Sequence, residues 1–439
     1  MRTAIVVTLA GLLVLSATPA AARQDAAGVV AAAESDVQAF RRLRAEGIAA
    51  ANADDAAGAG RRLAEADARV PNHPGLILMR ARLAVGTGRP DEAMTQLNRY
   101  AGVGLSVNVA NDRVLSALVT HPEFDALAAV LEANRAPIGA DRVTTLAELP
   151  GSVLVESAVR DEARGRWLVS QVRGRTIVAL ADDGTITPFL TSGEPVAGVL
   201  GMTLDERTGT LWAATAPVAP AAHGLDATAA RPNALLKIDA ASGRELARYP
   251  VPEGERSLGD VALAADGTVY VADSTAGEVF QLKPGATALE SLFAAGTLAS
   301  PQGMVVTPDG TALIVADYTS GLWRVDRTTG AAARLSGPDY ASLIGIDGLT
   351  TDGTAVYGFQ NGVAPQRVLK LVPDAGWSRI ETVQVLAANL PILDEPTTGL
   401  VRNGELVFVS RSQWSDFGGD GAQTTAAPAP AVIARLPLH

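Results

Sequence analysis

The chain has 439 residues, 48% of them apolar, and carries a formal charge of −11 with no cysteine. That length suits two domains and that apolar content a sizeable core. The acidity argues against a nucleic-acid partner, whose phosphates attract a basic face. The lack of thiols excludes disulfides, thiolate catalysis and zinc–thiolate sites. Residues 1–22 read as a secretory signal peptide. Arg2 supplies the positive start, Ala4 to Leu15 the apolar run, and Ala20, Ala21 and Ala22 a small-residue cleavage site. The alternative is a retained anchor, but the run is shorter than the roughly 20 residues that span a bilayer. Cleavage would leave a periplasmic or secreted protein with no membrane attachment. The histidines, His73, His121, His223 and His439, are scattered and form no metal-ligand spacing.

Residues 24–136 read as a helical domain. Val37, Phe40, Leu43 and Ile48 recur near helical spacing, and Leu63 and Val70 mark a second helix that Pro71 ends. Leu76, Met79 and Leu83 form the next stripe. After a turn at Gly86, Gly88 and Pro90, the residues Ala93, Leu97 and Tyr100 form another. This helix–turn–helix, with small Ala84 and Ala93 near the crossing, resembles a tetratricopeptide repeat. It is read either as a groove for a protein or peptide partner or as a helical cap.

Residues 137–150, punctuated by Pro137, Gly139 and Pro150, read as a linker. From 151 to 439 the pattern is short β-strands. The stretch Ser300 to Tyr318 sets the unit: a small-residue entry, an apolar strand, an Asp-Gly turn, a second apolar strand and a late Asp. Ser257 to Ser274 nearly copies it, Ile346 to Tyr357 shortens it, and Thr398 to Ser410 repeats it with Asn-Gly as the turn. Six repeats begin near Val153, Val199, Leu258, Pro301, Ile346 and Pro396, a spacing suited to four-stranded blades. The fold class is therefore mostly β: a six-bladed β-propeller preceded by a small α-helical domain. Ala216 to Pro232 should be a surface loop over one end, and Ala431 to His439 could supply a closing strand.

Inner strands of a propeller line its central channel, so a polar residue opening each repeat can meet its counterparts. The candidates are Glu156, Asp260, Gln302, Asp347 and Thr398. Carboxylate and amide oxygens are hard ligands suited to calcium, magnesium or manganese. Asp266, Asp309 and Asp352 read as turn residues, Asp273 and Asp317 as acceptors of backbone N–H groups. Trp212, Trp323 and Trp414 read as blade packing.

Over about residues 149–437 the chain resembles the regucalcin, gluconolactonase and luciferin-regenerating-enzyme family of six-bladed propellers. Glu156 before Ser157, Ala158 and Val159 is similar to the family's early Glu-Ser/Gly-Pro-Val segment. Gln302 before Gly303 stands where the family has Asn, and Asp347 before Gly348 and Leu349 matches its Asp-Gly-Met/Leu. The resemblance implies Glu156, Gln302 and Asp347 as ligands of a divalent cation, calcium first, with manganese, magnesium or zinc as alternatives. It implies Asp347 as the acid/base residue, and Gly259 and Asp260 as a substrate-side segment. Thr398 is the blade-six candidate beside the substrate. The departures are Gln302 for Asn, Gly259 for Asn and Ala158 for Pro. The expectation is an exported, metal-dependent hydrolase of a lactone or similar cyclic ester. The alternative is a non-catalytic binding propeller whose helical part recruits a partner.

Overall fold

The computed structural model describes residues 34–225, 233–252 and 254–439. The signal-peptide reading of 1–22 and the end of the 216–232 insert lie outside these residues. The chain divides into two compact units, Met1–Pro71 and Asn72–His439. Among the described residues no helix is long and apolar enough to cross a membrane.

The first unit holds α1 (Asp36–Asn52) and α2 (Ala56–Arg69). Ser35 caps α1 reciprocally with Gln38, and Asp55 caps α2 through the Gly58 amide, so both helix starts lose an orphan donor. Gly47 lets the two helices approach, since a Cβ there would stand 2.7 Å from a Leu63 methyl.

The second unit opens with α3 (Pro74–Gly86), α4 (Pro90–Gly102) and α5 (Phe124–Ala133). Proline at the first position of α3 and α4 suits the helix start, where no N–H partner exists. Ala84 and Ala93 are fully buried at the crossing. The span read as one helical domain is thus divided at Pro71, and its later helices belong with the propeller. Polar contacts show why. Asn72 donates to the Asp339 and Ala341 carbonyls, and Asn389 donates to the Asn134 and Ala136 carbonyls. Arg367, buried to 4% exposure, reaches the Val103 and Gly104 carbonyls and Gln360. Such docking residues carry no periodic signal.

The rest is six four-stranded antiparallel sheets arranged as blades. Blade one is β2 (Ala158–Asp161), β3 (Arg166–Gln171), β4 (Thr176–Ala181) and β5 (Ile186–Pro188). Blade two is β6 (Gly198–Asp205), β7 (Thr210–Ala216), β8 (Ala234–Asp239) and β9 (Glu245–Pro250). Blade three is β10 (Leu258–Leu263), β11 (Val269–Asp273), β12 (Glu278–Leu282) and β13 (Glu290–Ser291). Blade four is β14 (Pro301–Val306), β15 (Ala312–Asp317), β16 (Gly321–Asp326) and β17 (Ala332–Arg334). Blade five is β18 (Ile346–Thr351), β19 (Val356–Gln360), β20 (Arg367–Pro373) and β21 (Ile380–Ala388).

Blade six closes the ring in the order β1 (Thr144–Leu149), β24 (Ala431–Pro437), β23 (Glu405–Arg411), β22 (Gly399–Arg402). The tail does supply a strand, and β1 covers its outer edge in a span expected to be linker. Pairing the two ends of the propeller removes an exposed edge. Cores lie between blades, as in the cluster where Leu168 and Ile177 of blade one meet Val199, Leu211 and Leu236 of blade two.

The repeated aspartates behave as their turns require. Asp266, Asp309 and Asp352 each accept the amide two residues on. Asp273 accepts from the Ser257, Thr275 and Ala276 amides, and Asp317 from the Ala299, Ser300, Thr319 and Ser320 amides.

Candidate active site

Four inner strands carry the same irregularity. Their register with the second strand shifts between Val199 and Met202, Leu258 and Val261, Pro301 and Met304, and Ile346 and Leu349. A bulge of this kind turns a side chain out of its regular alternation. The bulged pairs are Leu200-Gly201, Gly259-Asp260, Gln302-Gly303 and Asp347-Gly348. The candidate residues of blades three to five therefore all occupy the bulge. In blade three the order is reversed, so Asp260 takes the second bulge position and Gln302 and Asp347 the first. The glycines let neighbouring inner strands touch at this level. A Cβ on Gly348 would stand 2.1 Å from the Thr397 carbonyl oxygen, and one on Gly201 would stand 2.6 Å from the Asp260 Cα.

Below the bulges runs a channel of about 310 Å³ lined by residues of all six inner strands, including Ser157, Thr203, Asp260, Val305, Thr350 and Thr398. Glu156, Gln302 and Asp347 do not line it; each lies one or two residues before a lining residue, Ser157, Met304 and Leu349 respectively. Asp260 faces into the channel, and among the described residues no protein donor reaches its carboxylate.

Each of the other groups is held from one side. Trp414 Nε1 donates to Glu156 Oε2 at 2.6 Å, and Asn361 Nδ2 donates to Asp347 Oδ2 at 2.7 Å. Gln302 Nε2 donates to Ser300 Oγ at 3.2 Å, which leaves its carbonyl oxygen as a free acceptor. Thr397 and Thr398 both donate their hydroxyls to the Glu156 backbone carbonyl, at 2.7 and 2.9 Å. Thr398 therefore lines the channel while bracing Glu156. Trp414, read from the sequence as blade packing, is a hydrogen-bond donor to a site carboxylate; Trp212 and Trp323 are buried in their blades.

The mouth loops carry backbone strain. Leu154, Glu395 and Gln413 have φ of 51°, 51° and 83°, the left-handed region that costs a branched or bulky residue roughly 1–3 kcal/mol. Gln413 offsets this by accepting the Val153 and Leu154 amides and donating to the Gly151 and Ala429 carbonyls. This clamp fixes the entry to Glu156 and the start of the loop that carries Trp414.

The electrostatics are one-sided. Burial, then the charges of Asp347 and Asp260, push the Glu156 carboxyl well above the usual range, and the Trp414 hydrogen bond only partly opposes this. Burial raises Asp260 to about 7. Burial and the Asp260 charge raise Asp347 to about 8 against the Asn361 hydrogen bond. Glu395 is also raised by burial, with Asp394 and Asp416 adding to it. No cationic side chain contributes to the shift of Asp260 or Asp347.

A stability prediction follows from the sign. These carboxyls stay protonated in the fold at pH values where the unfolded chain has released its protons. The unfolded chain then binds fewer protons than the fold, so stability falls as pH rises. The window runs from the ordinary carboxyl value, roughly 4, to the folded values of about 7 and 8. Metal-free protein should lose on the order of 10 °C of melting temperature between pH 5 and 8.5. Asp260→Asn with Asp347→Asn should flatten that slope in a pH series of thermal melts. A slope unchanged in the double variant would contradict the electrostatic account.

The donor set suits a hard cation. Among the described residues it offers two carboxylates and one amide, each with one oxygen that accepts no protein hydrogen bond, and no basic residue to neutralise them. Among the described residues no three His, Cys, Asp or Glu side chains come close enough to hold a metal by themselves. The third ligand would have to be the Gln302 amide.

Fold and site together define a six-bladed propeller with buried carboxyls near the strand starts whose shifts no cation offsets at Asp260 or Asp347. No protein-family model matches the chain, and no curated protein does. Solved structures do. A gluconolactonase from Xanthomonas campestris shares 17% identity over 69% of this chain and 95% of that one, with a TM-score of 0.47. Regucalcin, a calcium-binding protein from Agrobacterium tumefaciens, shares 17% over 66% and 93%, with a TM-score of 0.45. Virginiamycin B lyase from Staphylococcus aureus shares 14% over 68% and 99%, also with a TM-score of 0.45. At these identities the likeness is one of fold, and proteins with different named activities share it.

Proposed function

We propose that the chain is an exported, metal-dependent hydrolase of a lactone or similar cyclic ester. What supports this reading is the mutual charge influence of three buried carboxyls, Glu156, Asp260 and Asp347, each shifted upward with no cation among the causes at Asp260 and Asp347. Glu156, Gln302 and Asp347 would hold a divalent cation, calcium first, which supplies Lewis acidity toward an ester carbonyl. Asp347, ionised once a cation is bound beside it, would take a proton from the attacking water through Oδ1, the oxygen that Asn361 leaves free, and return it to the ring oxygen as the ester C–O bond breaks. Trp414 and the two threonines keep Glu156 in place. Asp260 meets the part of the substrate that enters the channel. Export rests on the 1–22 stretch alone.

The experiment is a panel of lactones assayed with purified protein, with and without chelator and with added Ca²⁺, Mn²⁺ or Zn²⁺. Turnover that chelation abolishes and metal restores supports the reading. No turnover under any of these conditions contradicts it and favours the binding propeller.

A further inference from the structure

Hydrogen bonds, together with the covalent frames of Ser300 and Tyr318, link two of the candidate ligands through residues that no comparison assigns. The link starts at Gln302, whose Nε2 donates to Ser300 Oγ. The Ser300 carbonyl accepts the Tyr318 amide at 2.9 Å. The Tyr318 hydroxyl donates to Asn361 Oδ1 at 3.0 Å. Asn361 Nδ2 then donates to Asp347 Oδ2 at 2.7 Å and to the Pro396 carbonyl at 3.1 Å. The link passes from blade four through blade five to the start of blade six.

Its members have little freedom. Both polar atoms of the Asn361 side chain are engaged, and the phenol decides which way the amide faces. With Oδ1 receiving the Tyr318 hydroxyl, only Nδ2 can point at Asp347. Burial and the nearby Asp347 and Glu395 charges raise the Tyr318 phenol, so it remains an O–H donor throughout the working range. The phenol is wedged against blade five: a Cβ on Gly362 would stand 2.7 Å from the Tyr318 hydroxyl oxygen and ring carbon. Its backbone is tied on both sides, with the Gly345 amide donating to its carbonyl at 2.9 Å.

We propose that Tyr318 and Asn361 are positioning residues that hold Asp347 through Oδ2 and leave Oδ1 as its free acceptor for a ligand. This rests on the metal-dependent reading above for its purpose, but not for its geometry. Outer partners of this kind orient first ligands, and their loss weakens metal binding by roughly 10–100-fold. The same residues could instead merely tie blade five to blade six through Pro396. A structural tie alone would change the melting temperature and leave the ligand geometry intact.

The test compares wild type, Tyr318→Phe and Asn361→Leu by two readouts. Terbium titration followed by sensitised luminescence reports affinity at the mouth. Crystal structures of the metal-free proteins report the Asp347 rotamer. Tyr318→Phe keeps the ring and removes only the hydroxyl, so it guards against a simple folding defect. The expected result is a terbium affinity about 10-fold or more weaker in both variants, with Asp347 turned from its wild-type rotamer in Asn361→Leu. Wild-type affinity with an unmoved Asp347 would overturn the proposal. If wild type itself binds no terbium, the metal-dependent reading fails, and the rotamer still decides the positioning: an unmoved Asp347 refutes it and a turned one supports it.

Discussion

Replacing Asp347 with alanine should lower lactone turnover by about 10²–10⁴-fold, the range a positioned acid/base group supplies, and leave the fold intact. The side chain stands in a bulge, outside the blade cores. Its carboxyl is raised to about 8 by burial and by Asp260, so at neutral pH the fold pays to keep it. Removing it relieves that repulsion on Glu156 as well. Asn361 loses one acceptor and keeps the Pro396 carbonyl. Thermal melts at pH 8 should therefore show an unchanged or higher midpoint, alongside the collapse in kcat. Full turnover in the variant would exclude Asp347 as the proton carrier. A large drop in midpoint would show that the residue is structural.

The second large effect concerns closure. Deleting residues 431–439 removes β24, which lies between β23 and β1. Val432, Ile433 and Leu436 are buried to 1% exposure or less. Burying three such side chains contributes roughly 5–9 kcal/mol, comparable to the whole stability of a typical domain, about 5–15 kcal/mol. The deletion also strips two strands of their ladder partners and leaves hydrophobic edges exposed. The truncated chain should yield no soluble, cooperatively melting monomer in size-exclusion and calorimetric measurements. A soluble truncation melting within a few degrees of the intact chain would show that the ring does not depend on this strand.

The blades were legible because their turns repeat. Leu258, Pro301 and Ile346 open β10, β14 and β18 where the Asp-Gly spacing places them. Three of the bulged residues, Asp260, Gln302 and Asp347, were legible for the same reason, as polar side chains at one point of their repeats, whereas the Leu200-Gly201 bulge carries none. The closing β1 was not. Its partner in sequence is nearly the whole propeller away, with Leu149 opposite Ala431. As the outermost strand it is largely exposed and shows little alternation, and the prolines and glycine around it read as a linker. Asn361 and Trp414 escaped because they follow second strands, in loops without periodicity. Trp414 serves a carboxylate on the next blade, a relation that exists only once the ring is formed. A comparison of positions after each second strand, Tyr318 and Asn361 among them, is the signal that could have found them. The division at Pro71 was hidden for a different reason. Polar contacts by Asn72, Arg367 and Asn389 tie the later helices to the propeller, and these leave no pattern in the chain.

The most direct measurement is a crystal structure of the protein grown with calcium, with the ion located by its anomalous signal. The account predicts one ion at the channel mouth, within about 2.3–2.6 Å of oxygens from Glu156, Gln302 and Asp347. A mouth without the ion at saturating calcium, with Glu156 and Asp347 turned away from a shared point, would contradict it.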